Sequence, residues 1–440
     1  MTTESVVAPG GVNAGGRSRG FILLMVTLVY VVNYLDRNIL AIVLPEIKRE
    51  FHLTDAALGF LSGTSFAITY AILGMPLAWI ADRANRRNVI AASMALFSAM
   101  TVVCAYAGST IQLVIARVFT GVGEAGTGPS IQSIISDLYP PRQRGAALSI
   151  YSSGLNIGLL IAFFGGGQIA AHFGWRNAFF AAGLPGLVLV FLFLFAVPEP
   201  RRGHVENLQD EIRAPSFLAT VAFLWLQRSF RWIALGTALS SFGGYASITF
   251  TPLFLAVSHG MDPSSRGLAL ALLAGVAGGF GTYISGVLAD RLGKRDIRWN
   301  MYVPIAFIAI SLPFMPFFYL SSSLAVALLC AIVPSANGAA YLAPSLAMTQ
   351  GLVPLRMRAQ AAAILLFILN IIGYGLGPLS VGKLSDLLRP SLGSDSIRWA
   401  MLSTAIPWIA SGFCYWFASR SLVSDLKRGS GTVPVAVVRN

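Results

Sequence analysis

Charge is scarce in this 440-residue chain. Asp, Glu, Lys and Arg together make up 11% of it, where a soluble domain carries roughly 25%. A soluble protein of this length needs more charge than that to cover its surface, and one whose outside faces lipid does not. Cysteine is nearly absent too. Cys104, Cys330 and Cys414 all fall inside apolar runs, with no CxxC spacing, which argues against a disulfide framework. The four histidines, His52, His172, His204 and His259, are scattered and never spaced as a ligand pair, so no metal and no cofactor is expected. No Ser/His/Asp order and no glycine-rich phosphate loop at a strand-to-helix turn is present, which argues against an enzyme. No cleavable signal peptide is visible. Residues 1–19, rich in Gly, Ser and Ala with Arg17 and Arg19, read as a disordered cytoplasmic tail.

Apolar sequence fills the space that charge leaves. Hydrophobic residues make up 55% of the chain, and the mean hydropathy is +0.71. A bilayer core of ~30 Å takes ~20 apolar residues of helix. On that rule helices fall near 20–44, 56–80, 89–107, 110–137, 146–171, 177–197, 230–257, 266–289, 300–320, 323–350, 358–387 and 397–420. The runs are too long for the strands of a membrane barrel and lack their alternation. The fold class is therefore an all-α polytopic membrane protein with twelve transmembrane helices. The longest polar stretch, 198–229, holds Glu199, Glu206, Asp210 and Glu211 among arginines. It reads as a cytoplasmic loop dividing an N-terminal six-helix bundle (20–197) from a C-terminal one (230–420), with residues 421–440 as a second cytoplasmic tail.

The net charge of +13 and the pI near 10.0 would ordinarily suggest nucleic acid as a partner. Here the basic residues do not form one surface. With the N-terminus inside, 22 of the Lys and Arg side chains fall in cytoplasmic segments and six in outer loops, while Arg37, Arg117 and Lys383 fall within helices. This is a positive-inside distribution. It places both termini in the cytoplasm and makes a nucleic-acid partner unexpected.

The two halves repeat. Ala-Asp-Arg at 81–83 recurs at 289–291, an offset of 208; Pro140-x-Arg142-x-Arg144 recurs as Pro354-x-Arg356-x-Arg358, and Leu155-Asn156-Ile157 as Leu369-Asn370-Ile371, each an offset of 214. Duplicated halves that rock about a central site are a transporter architecture. Isolated buried charges suit a carrier better than a channel lined by repeated rings.

Two acids lie deep in predicted helices: Asp36 in Asn33-Tyr34-Leu35-Asp36-Arg37, towards the outer end of helix 1, and Glu124 in helix 4, seven residues after Arg117. Ionised groups in hydrocarbon are costly, so they face the bundle interior and are functional candidates. Seven residues turn a helix by about 700°, which puts Arg117 and Glu124 on one face and suggests that they pair. A cavity with two acids and two arginines suits proton coupling, the acid titrating while the arginine changes partner. An offset of 214 maps Arg117 to Ala331 and Glu124 to Gly338, so coupling is expected in the N-terminal half and substrate selection in the C-terminal half. Polar and aromatic residues at related positions are candidates for the substrate cavity: Asn33, Tyr34, Tyr151, Asn156, Tyr245, Asn337, Tyr341, Asn370 and Tyr374. Tyr and Asn can bind a headgroup.

The loops Asp82-Arg83-x-x-Arg86-Arg87 and Gly286-x-x-x-Asp290-Arg291-x-Gly293-Lys294-Arg295 resemble the signature of the major facilitator superfamily. That resemblance implies two pseudo-symmetric six-helix bundles. It also implies a conformational latch at Asp82, Arg83, Arg86, Arg87, Asp290, Arg291 and Arg295 that holds the outward-open state. The first copy departs from the pattern at Ala78 and Asn85, where glycines are usual. Residues 33–37, 81–87, 121–126, 140–158 and 198–203 together resemble the Spinster group, and Asn85 fits that group. This implies a secondary transporter working by alternating access, proton-coupled and moving a lysolipid of the sphingosine-1-phosphate or lysophospholipid class. The group's intramembrane acid–base set falls on Asp36, Arg37, Arg117 and Glu124. Anion:cation symporters also carry a Tyr-Leu-Asp-Arg run and a Gly-Glu-Ala, so a proton-coupled symporter of organic anions such as sugar acids is the alternative. A multidrug carrier is a further one, weakened because helix 5 lacks the drug-antiporter proline. The expected partners are the small amphipathic substrate, protons and membrane lipid. A monomer in a bacterial inner membrane is expected.

Overall fold

The computed structural model describes residues 18–199, 216–354 and 357–430. Among these residues the chain is helical, with no strand. The first span is α1 (Arg19–Phe51). The second is α2 (Asp55–Gly59), a π-helical stretch (Phe60–Thr64) and α3 (Ser65–Arg83); the third is α4 (Arg86–Ala105). The fourth is α5 (Thr110–Ala125) with α6 (Thr127–Leu138), the fifth α7 (Pro141–Phe173) and the sixth α8 (Trp175–Ala196). A short helix, α9 (Phe217–Leu226), precedes the seventh span, α10 (Arg228–His259). The eighth is α11 (Pro263–Leu270), a π-helical stretch (Ala271–Ala277) and α12 (Gly278–Gly293). The ninth is α13 (Trp299–Ser311) with α14 (Phe314–Leu320); the tenth is α15 (Leu324–Asn337) with α16 (Leu342–Gly351). The eleventh is α17 (Arg358–Leu369), a π-helical stretch (Asn370–Leu376) and α18 (Gly377–Leu392). The twelfth is α19 (Ser396–Leu402) with α20 (Ala405–Ser430).

Among the described residues the helices thus group into twelve stretches near the positions expected from the sequence, eight or nine helices being long and apolar enough by themselves to cross a membrane, with instructive differences. The first runs on through Lys48 and Arg49 to Phe51, closed by a left-handed His52, so Asp36 lies near the middle of α1 and not towards its outer end. The fourth breaks at Gly126, and the ninth bends by 44° between α13 and α14. The stretch 198–229 contains α9, which is apolar except for Thr220 and exposes Phe217, Leu218, Trp225 and Leu226. The flanking charges hid this helix from a reading based on polarity.

Spans 1–6 pack as one bundle, with α1 along α7, α4 along α8 and α5 against α3 and α4. In the second bundle α10 packs along α20, and α12 against α13 and α15. The end where α1 begins is called here the near end. The extensive packing between the halves involves elements of the far end: α2 against α18, α7 against α11 and its π-helical stretch, and α1 against α10. Glycines allow this approach. A Cβ on Gly59 would stand 2.7 Å from the Pro378 carbonyl carbon, and one on Gly267 would stand 2.9 Å from the Gly167 Cα. Small residues that let helix backbones meet are the usual packing device in lipid. The far end is therefore closed.

Candidate functional site

Asp36 is 0% exposed, Arg117 1% and Glu124 2%. Groups of this kind persist in a membrane bundle only with partners. Two donors of Arg37, Nε (2.9 Å) and Nη2, converge on the same oxygen of Glu124, Oε2. The other oxygen, Oε1, is buried and accepts no hydrogen bond from a described residue. Asp36 is arranged alike: its Oδ2 accepts from Ser98 Oγ at 3.0 Å, and its Oδ1 is buried and bare.

The expected pairing of Arg117 with Glu124 is not what the structure contains. Glu124 binds Arg37. Arg117 donates to backbone carbonyls of α1, Asp36 O and Arg37 O, each at 3.4 Å, and lies 5.9 Å from the Phe66 ring centre; its Nε is bare. The physical reason is the position of α1. Its middle runs beside α5, so Arg37 reaches Glu124 from a neighbouring helix. A shared face of α5 leaves Arg117 and Glu124 about 10.5 Å apart along the axis, two turns, too far for direct contact.

Aromatic rings surround the pair. The Arg37 guanidinium lies 5.1 Å from the Tyr34 ring centre, 4.7 Å from Phe66 and 5.8 Å from Tyr374, distances at which a cation is attracted to a ring face. Tyr374 belongs to the second half. It meets Phe66 of the first at 5.2 Å and Tyr245 at 4.7 Å. On the other side Tyr34 meets Tyr30 at 4.9 Å, and Tyr30 stacks on Tyr151 at 4.3 Å. Arg37, with 11% of its side chain exposed, is the most exposed member of the acid–base set.

Of the predicted cavity residues, Tyr34, Tyr151, Tyr245 and Tyr374 join this aromatic cluster, and Asn33 is buried beside Glu124. Tyr341 is buried in the core of the second half, and Asn337 is buried at the end of α15. The repeat mates diverge. Asn156 packs on Gly279 across the halves, whereas Asn370 donates to Leu366 O of its own helix at 2.9 Å. Phe66, Tyr30, Tyr70 and Ser98 escaped the sequence reading. A signal was present, because Tyr30 lies one turn before Tyr34 and Tyr70 one turn after Phe66, a spacing that stacks side chains on one face.

The predicted latch residues lie at the near end. Arg86 is buried, and its Nε donates to Glu199 at 2.9 Å and its Nη1 to Ser133 and Asp137. The Arg87 backbone N–H donates to Glu199 at 2.8 Å. These bonds all stay within the first half. Arg83 is exposed at the end of α3, and the Asp82 side chain lies outside the described residues. Asp290, Arg291 and Arg295 are exposed and form no ion pair among the described residues.

Two repeated helical bundles packed around a buried cluster of charged and aromatic side chains are the architecture of a membrane transporter. Residues 26–378 match the Major Facilitator Superfamily, and the chain belongs to that superfamily. It is 33% identical over 415 residues to an MFS-type efflux pump of Mycolicibacterium smegmatis, covering 91% of this chain and 93% of the relative. It is 27% identical over 414 residues to the sphingosine-1-phosphate transporter SPNS2 of Mus musculus, covering 86% and 72%. Among solved structures it resembles a bacterial homolog of the human lysosomal transporter Spinster in an inward-facing, unoccupied conformation. That match has a TM-score of 0.84 and 29% identity, and covers 92% of this chain and 98% of the other. The protein is thus a transporter of the superfamily with Spinster relatives, and it acts on a small-molecule substrate.

Proposed function

We propose that this transporter is proton-coupled and moves a single-chain amphiphile of the lysolipid class by alternating access. The observation that carries the reading is the Arg37–Glu124 pair. One carboxylate oxygen holds both donors and the other is buried and bare. A proton arriving at Oε1 neutralises Glu124 and frees Arg37, the most exposed of the set. Arg37 then binds an anionic headgroup, and Arg117, which pairs with no carboxylate among the described residues, adds a second positive charge behind it. Asp36 is the second proton-binding group. The aromatic walls offer apolar surface to the chain of such a substrate, with Tyr hydroxyls and Asn33 for its polar end.

The excess of basic residues at the near end supports a cytoplasmic placement of that end and of both termini, in a bacterial inner membrane. With the far end closed, the chamber is open to the cytoplasm. The signature residues Asp82, Arg83, Arg86, Arg87, Asp290, Arg291 and Arg295 then act as a latch only in the opposite, outward-open state. This accounts for the exposed second copy. The protein works as a monomer.

The test is uptake of a labelled lysophospholipid into proteoliposomes, with and without an imposed pH gradient. Wild type should show gradient-dependent uptake, and Glu124→Gln should lose the dependence. Retention of gradient-driven uptake in that variant would sink the coupling. The arginines also support a second reading, a proton symporter of organic anions. Displacement of the label by sugar acids and not by single-chain lipids would favour it. Likeness to an efflux pump supports a drug-like amphiphile as a further competitor in the same assay.

A further inference from the structure

The far end must part before the chamber can open to that side, so whatever joins the halves there governs the cycle. The two seams are related by the repeat. Gly59 and Gly267 are mates at the offset of 208, and each packs on backbone of the other half. Their charged contacts differ. At the seam between α2 and α18, both oxygens of Asp386 accept from the first-turn amides of α2, Asp55 N at 3.0 Å and Ala56 N at 2.8 Å. These are free helix N-terminal amides, which favour a carboxylate. Asp55 itself is fully buried, and its carboxylate takes Lys48 from its own half and, from the other, Ser385 Oγ at 2.7 Å and Arg389 at 3.3 Å. The offset of 214 maps Asp386 to His172, which is exposed and contacts only Gln168 O of its own helix. The second seam has Arg266, 1% exposed, on Glu46 at 2.9 Å.

The difference lies in what separation leaves behind. When α2 and α18 part, Asp55 keeps Lys48 within the first half. Asp386 and Arg389 stay together on α18, three residues apart, a spacing at which opposite charges pair. Each side departs as a neutral set, and the freed amides of α2 meet water. Parting Arg266 from Glu46 would instead strand a buried cation. The first seam is thus built to open and close at little cost.

We propose that Asp386, seated on the first-turn amides of α2, is the reversible clasp that holds the far side of the transporter shut. It is a positioning residue and touches no substrate. The test is a distance between spin labels at the exposed far-end positions Tyr106→Cys and Ser322→Cys, one on each half, with Cys104, Cys330 and Cys414 replaced by Ser, in lipid nanodiscs without substrate. Wild type should give mainly the short distance. Asp386→Asn keeps the shape and removes the charge. It should raise the long-distance fraction by roughly tenfold, the order expected when hydrogen bonds to a charged group are lost, while Asp386→Glu should stay near wild type. Ala56→Pro provides an independent variant: it deletes one receiving N–H at a first-turn position where proline is tolerated, and it should move the distribution the same way. Unchanged distributions in Asp386→Asn and Ala56→Pro, with both proteins folded, would overturn the proposal. The readout needs neither substrate nor proton gradient, so failure of the lysolipid reading leaves it standing.

Discussion

At the scale of the residue, the arginines are not equivalent. Arg37 offers two donors to one carboxylate oxygen and lies over three rings. A planar guanidinium does both at once, and an ammonium cannot. Arg37→Lys should therefore lower the maximal rate of gradient-driven uptake by at least about tenfold, the factor that ~1.4 kcal/mol represents. Arg117 binds no described carboxylate and rests on carbonyls 3.4 Å away. Arg117→Gln should mainly raise KM, because it removes a positive charge that a bound anion meets. Initial uptake rates over a range of substrate concentration separate the two; equal effects of both substitutions on KM and maximal rate would contradict the assignment. That Asp36, Arg37, Arg117 and Glu124 lie together in the interior was legible from intramembrane charge alone, since hydrocarbon tolerates so few ionised groups. Which of them pair was not, because two residues seven apart on α5 share a face whether or not they touch. The true partner comes from a helix whose depth and rotation an all-round apolar sequence leaves open.

At the scale of the element, the seams depend on glycines that the sequence reading did not single out. Gly59 stands against Pro378 and Leu379, and Gly267 against Phe163 and Gly167. A methyl group there meets backbone, which cannot swing aside, so Gly59→Ala and Gly267→Ala should each cost about 1–3 kcal/mol of the closed state. The same pair of spin labels should report a longer far-end distance in both variants. Gly412→Ala, where a Cβ meets nothing within 4 Å, should leave it unchanged. The π-helical stretches were not legible either. They lie in spans 2, 8 and 11, and Thr64, the last residue of the first, donates to Gly375 O within the third at 2.6 Å. Such stretches insert one extra residue per turn without a marker in the sequence. The helices themselves were legible, because length and apolarity alone decide what crosses a bilayer. The spans least clear by hydropathy are α5 with α6 and α10, where the interior Arg, Glu, Ser and Thr side chains dilute the signal.

At the scale of the whole molecule, two halves that rock must each stay rigid. In the first half Glu199, at the end of the sixth span, accepts from Arg86 and from the Arg87 amide and so caps the start of α4; Asp137 and Ser133 add the end of the fourth span through Arg86. In the second, Asp425 on α20 accepts from the Ser229 amide and hydroxyl, both at 2.8 Å, and ties the last span to the start of α10. Both clips sit at the near end and join spans of one half, whereas the Asp386 clasp sits at the far end and joins the two. The contrast makes the roles separable. Arg86→Gln leaves Asp137 and Glu199 without their common partner. The loss should lie towards the lower end of the roughly 3–5 kcal/mol typical of breaking a buried pair, because both acids are partly exposed. The variant should melt earlier in detergent while its far-end distance distribution stays that of the wild type. Asp386→Asn should do the reverse. If Arg86→Gln instead opened the far end without lowering the melting temperature, Arg86 would be holding the far side shut rather than stiffening one half, and the picture of two rigid bodies hinged at glycine seams would have to be abandoned.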